Sequence, residues 1–140
     1  MYKLNAADMS ELTGLKRKTF DQWVQRGLIL PSHASRGAGT SAEFDEDRLF
    51  MATLLQILKR YGVPLRRAAE IVRDAWLQHD FKDLIGDGSV VFVISIGEDA
   101  VEPETVKISA QIKDLPSDCL VIDICRVHED VNNQLKEWKE

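Results

Sequence analysis

Apolar residues recur at helical spacing through the first 78 positions and gather into β-branched runs afterwards. Ala6, Met9 and Leu12 follow Asn5, a good N-cap, and Gly14 closes the segment, which predicts a first helix. Lys16 to Arg26 reads as a second short helix with Phe20, Trp23 and Val24 on one face, ended by Gly27. Leu28-Ile29-Leu30 reads as a short apolar strand, and Pro31 to Ala42 as an exposed loop of small residues. Asp45 is the expected N-cap of a longer helix through Tyr61, with Leu49, Ala52, Thr53, Leu54, Leu55 and Leu58 facing inward. Gly62 stops it, and Pro64 suits the first turn of a fourth helix running to about Gln78.

Beyond Phe81 to Ile85, Gly86-Asp87-Gly88 signals a turn, and Val90 to Ile96 is a run typical of a buried strand. Gly97 to Glu104 is an acidic loop. Val106, Ile108, Ala110 and Ile112 then alternate with Lys107, Ser109, Gln111 and Lys113, the pattern of a half-exposed strand. Pro116-Ser117-Asp118 turns into a third strand over Cys119 to Cys125. A final helix from Val127 to Trp138 carries Val131, Leu135 and Trp138 as a stripe. The expected fold class is α+β, with a four-helix unit over residues 1–78. A small three-stranded antiparallel sheet and a C-terminal helix follow over residues 79–140.

The charge changes the picture. The chain of 140 residues has a net charge of −5, but residues 1–78 hold 12 Lys/Arg and 9 Asp/Glu, and residues 79–140 hold 6 and 14. The total hides a basic part of +3 and an acidic part of −8, and it is the local field that attracts a polyanion. Three of the cations, Lys16, Arg17 and Lys18, open the second helix, where the dipole favours anions. Arg36 is the one charged residue of the small-residue loop, which suits phosphate or minor-groove contact. Arg66 and Arg67 stand near the start of the fourth helix, within reach of a backbone phosphate if that face is used.

Catalytic chemistry is not indicated. His79 and His128 are isolated, Cys119 and Cys125 lack metal-ligand spacing, and no phosphate-binding loop or nucleophile–base pattern occurs. No cofactor, metal or enzymatic activity is expected. Both cysteines read as buried structural thiols. No apolar run approaches the ~20 residues that span a bilayer, and no signal-peptide pattern opens the chain. A cytoplasmic location is the expectation.

Six fragments in order resemble the DNA-binding domain of the MerR family over about residues 2–73. They are Leu-Thr-Gly-Leu (12–15), Lys-Thr-Phe (18–20), Trp23, Arg-Gly-Leu-Ile-Leu-Pro (26–31), Phe-Asp-Glu-Asp-Arg-Leu (44–49) and Leu-Lys-Arg-Tyr-Gly-Val-Pro-Leu (58–65). The resemblance implies a winged helix-turn-helix whose second helix enters the major groove, with a helix pair bracing it. It places Arg17, Lys18 and Thr19 at the exposed start of the recognition helix, Arg36 in the wing, and Trp23 in the core. Phe44 becomes the aromatic that closes the wing. Ala42 stands where the family often has an arginine, and Asp21 and Gln22 stand where a basic residue and a tyrosine are common. The long dimerising helix of the family's regulators is not predicted here.

The expected function is therefore a sequence-specific transcriptional regulator that binds duplex DNA as a homodimer. Lys16, Arg17, Lys18, Thr19, Arg36, Arg66 and Arg67 are its candidate DNA contacts, and residues 79–140 its dimer-forming part. Two alternatives stay open: an excisionase-like architectural factor of a mobile element, and a protein-interaction module on a winged-helix scaffold.

Overall fold

A computed structural model of the chain describes residues 2–34, 41–79, 90–95, 104–107 and 119–139. Several expected features lie outside them: the stretch Phe81 to Ile85, the Gly86–Gly88 turn, the acidic loop up to Pro103, the strand beyond Lys107, and the Pro116–Asp118 turn. Five helices are present among the described residues: α1 (Ala6–Thr13), α2 (Arg17–Gln25), α3 (Glu46–Arg60), α4 (Leu65–His79) and α5 (Ile124–Lys139). Three short strands, β1 (Val90–Ser95), β2 (Glu104–Lys107) and β3 (Cys119–Ile122), form one small antiparallel sheet in the order β2-β1-β3. The described chain gathers into two compact units, Met1–Glu70 with Val131–Glu140, and Ile71–Asp130.

In the first unit the helix ends follow from local chemistry. Asn5 and Asp8 form a reciprocal capping box: the Asp8 amide donates to Asn5 Oδ1 at 2.8 Å, and the Asn5 amide to Asp8 Oδ2 at 3.0 Å. Gly14 ends α1 in the left-handed conformation, φ 76°. Asp45 caps α3 by accepting from the Arg48 amide at 3.0 Å, and Gly62, φ 94°, turns the chain out of α3. The Ala68 amide donates to the Pro64 carbonyl at 2.8 Å, which sets the first turn of α4.

α1 packs against α2 and α3 around Met9, Phe20, Phe44, Leu49, Phe50, Leu54 and Leu55, all essentially inaccessible to water. The Phe20 and Phe44 rings meet edge to face with centroids 5.4 Å apart, an arrangement aromatic pairs favour. Two glutamines anchor the end of α1, whose last carbonyls have no partner within the helix. Gln134 Nε2, on α5, donates to the Leu12 carbonyl at 2.6 Å, and Gln56 Nε2 donates to the Thr13 carbonyl at 2.8 Å.

Two expected elements differ. Leu28-Ile29-Leu30 is not a strand. Gly27 reverses the chain at φ 74°, and the Leu28 and Ile29 amides turn back to the Trp23 carbonyl at 2.9 and 3.4 Å, so they cap α2. The run from Cys119 does not stay extended to Cys125: β3 ends at Ile122, and Asp123 starts α5 by accepting from the Arg126 amide at 3.0 Å. The cysteines therefore sit on different elements. Both are half-buried, and neither forms a disulfide.

In the second unit, β1 is the central strand, paired Val93↔Glu104 to β2 and Val93↔Val121 to β3. Successive residues of a strand face opposite ways, so the near-total burial of both Val93 and Ile94 means both faces of β1 are covered there.

Candidate nucleic-acid interface

The turn between α1 and α2 spans only Gly14 to Lys16. It is locked by Thr13, whose hydroxyl donates to the Met9 carbonyl at 2.7 Å and accepts from the Leu15 amide at 3.3 Å. α2 then buries Phe20 and Trp23 and turns its opposite side outward. Trp23 is buried and belongs to the core, and Lys59 Nζ lies over its ring, 5.1 Å from the ring centre. That agrees with the packing role the family resemblance implies for Trp23.

The start of α2 is unusual. Lys16 occupies the N-cap in an extended conformation and supplies no side-chain hydrogen bond, and no acidic residue lies in the first turn. The first amides of the helix are left without a capping oxygen, at the positive end of the dipole. Lys16, Arg17 and Lys18 are all exposed there. Thr19 is half-buried beside the inaccessible Phe20 and does not share the open position of its neighbours.

Arg17 is engaged. Its Nε–H points at both oxygens of Asp21, one turn on, at 3.0 and 3.2 Å, and both side chains remain about half exposed at 55% and 53%. An exposed pair of this kind adds under about 1 kcal/mol to folding. No ion pair engages Lys16 or Lys18 among the described residues.

Three extended segments meet beside α2. Leu4 and Phe44 exchange two backbone hydrogen bonds of 2.8 Å, and the His33 carbonyl accepts from the Glu43 amide at 2.8 Å. Ser32 Oγ accepts from the Asp45 amide at 3.1 Å. The residues before and after the small-residue loop are therefore tied to each other and to the chain start. Arg36 lies outside the described residues. The pairing of Leu4 was not legible in the sequence, because a single bridge leaves no alternating pattern.

A cleft of about 450 Å³ opens between α1, α2 and this pairing, and Ala6, Ala7, Arg17, Asp21, Ser41 and Ala42 line it. Arg66 and Arg67 occupy the first turn of α4, both exposed, with Arg67 Nη1 3.5 Å from Glu70 Oε2. No cluster of metal-ligating side chains occurs among the described residues, and no helix among them is long and apolar enough to cross a membrane.

This arrangement has a counterpart among known families. A family model described as MerR HTH family regulatory protein matches residues 4–75. The chain belongs to the MerR HTH family. The match begins at the Leu4 bridge, runs through α1, α2 and α3, and ends within α4. As a family member the chain is a DNA-binding regulator in the general sense, and Lys16 to Thr19, Arg66 and Arg67 fall inside the matched region. No curated protein matches the chain.

Proposed function

We propose that this MerR HTH protein is a sequence-specific transcriptional regulator that binds duplex DNA as a homodimer. In this reading α2 enters the major groove and the segment between His33 and Glu43, which carries Arg36, serves as the wing. The observation that carries it is the start of α2, where three exposed cations surround uncapped amides. Such an end costs the isolated helix stability, and a phosphate backbone offsets that cost by supplying acceptors and negative charge.

Lys16 and Lys18 contact phosphate, Arg17 reaches toward base edges, and Thr19 adds a short contact at the groove wall. Arg66 and Arg67 touch flanking phosphates. Ala42 lacks the cation the family often places there, and Arg17 lines the same cleft paired with Asp21. The chain carries out no catalysis in this reading and works in the cytoplasm. The acidic part beyond α4, apart from the end of α5 that gathers with the first unit, pairs two copies, so the two recognition helices meet half-sites related by two-fold symmetry.

The test is a mobility shift of random-sequence duplex at about 50 mM salt, where backbone binding is strongest. The wild-type chain shifts the duplex, and Arg17→Ala/Lys18→Ala shifts it much more weakly. If the two proteins bind equally across a salt series, the assignment of α2 is wrong. If neither binds, the interaction-module reading replaces this one.

A further inference from the structure

We propose that Asp21 is a positioning residue that aims Arg17 at a guanine. The inference rests on the DNA-binding reading above and adds to it the base that α2 selects. A guanidinium carries five N–H donors in a rigid plane. Asp21 takes only the Nε–H, through two contacts of 3.0 and 3.2 Å. The donors on Nη1 and Nη2, at the far end of the plane, stay available. Guanine presents two acceptors side by side in the major groove, O6 and N7, and an arginine end meets them with two parallel hydrogen bonds.

An unrestrained arginine on a helix surface samples many rotamers and loses that freedom on binding. The pair with Asp21, one turn away on the same face, removes part of this loss beforehand. The exposure of both side chains fits such a role, since the pair is half open to solvent and holds no part of the core. It also accounts for a carboxylate on the basic face of α2. Close to DNA, Asp21 repels phosphates, which weakens binding to any sequence and makes the guanine contact a larger share of the remainder.

The experiment is selection from a library of fully randomised duplexes with the wild-type chain, Arg17→Ala, Asp21→Asn and Asp21→Ala, read as base preference at each position. The wild type enriches a motif with one guanine per half-site preferred over other bases by on the order of tenfold. Arg17→Ala loses that preference at that position alone. Both Asp21 variants lower it about threefold at the same position, bind random duplex more tightly, and melt within a few degrees of the wild type. A purely structural role for Asp21 would move the melting temperature and leave base preference untouched.

If the Asp21 variants keep the full guanine preference, or change the preference at a different position, the positioning role is overturned while DNA binding stands. If the wild type binds duplex but enriches no motif, Arg17 reads no base and the inference falls. If the wild type binds no duplex at all, the functional reading falls and this inference with it.

Discussion

At the scale of single residues, the two aromatics that join the helix-turn-helix to the extended segments matter most for folding. Phe20 and Phe44 are fully buried and touch edge to face, and Phe44 also carries the backbone bridge to Leu4. Removing a buried phenyl ring leaves a cavity that close-packed neighbours fill only in part, a loss of about 3–5 kcal/mol. Phe44→Ala should lower unfolding free energy by that amount in urea titration, a large share of the roughly 5–15 kcal/mol that holds a domain folded. A loss under about 1 kcal/mol would mean the ring is not a keystone. Helical spacing put Trp23 on one face with Phe20 and Val24, and the family resemblance gave it a core role and made Phe44 the aromatic that closes the wing. Neither revealed Asp21. A carboxylate four residues after an arginine is a common surface pair, and its orientation on Nε is visible only in three dimensions.

At the scale of elements, the helix boundaries show which signals carry through. The starts of α1 and α3 were legible because Asn5 and Asp45 are strong local caps whose oxygens reach the next turn. The start of α5 was hidden: Cys119 to Cys125 looks uniformly strand-like, yet the Asp123 cap turns it helical at Ile124. The Leu28–Leu30 stretch departs from a strand for a related reason, because its Leu28 and Ile29 amides cap α2 in place of joining a ladder.

The missing cap of α2 can be supplied by a single substitution. Lys16 already has the extended backbone of an N-cap, φ −60° and ψ 142°, so Lys16→Ser places an accepting oxygen there without strain. The substitution should stabilise the fold by about 0.5–2 kcal/mol in thermal melts. It should at the same time weaken duplex binding and reduce the salt slope by about 0.9, the contribution of one phosphate contact. A variant that is more stable and binds as well as the wild type would show that the uncapped end serves no ligand.

At the scale of the whole molecule, an acidic protein carries a basic reading head because its charges are segregated along the chain. The family assignment was legible in the order of short fragments from Leu12 to Leu65, since their spacing reproduces a fixed set of caps, turns and core aromatics. The role of the last helix was not legible. Val131–Glu140 gathers with Met1–Glu70, and Gln134 holds the Leu12 carbonyl across 122 positions of sequence. No local pattern encodes a contact of that range. Gln134→Ala should lower stability by about 1 kcal/mol through the lost hydrogen bond. Ending the chain at Asp130 should cost more, because the buried Val131 and Leu135 go as well. Denaturant titrations of the two variants check this, and a truncated chain as stable as the full one would show that α5 is dispensable for the head.

In the proposed function a two-fold assembly binds duplex DNA sequence-specifically. The most direct test is footprinting of the purified full chain on fragments of its own genome. Discrete protected sites are expected, each an inverted pair of half-sites about one helical turn apart or a multiple of it, placed where transcription begins. Protection spread evenly over all fragments, or none at low salt, would contradict it.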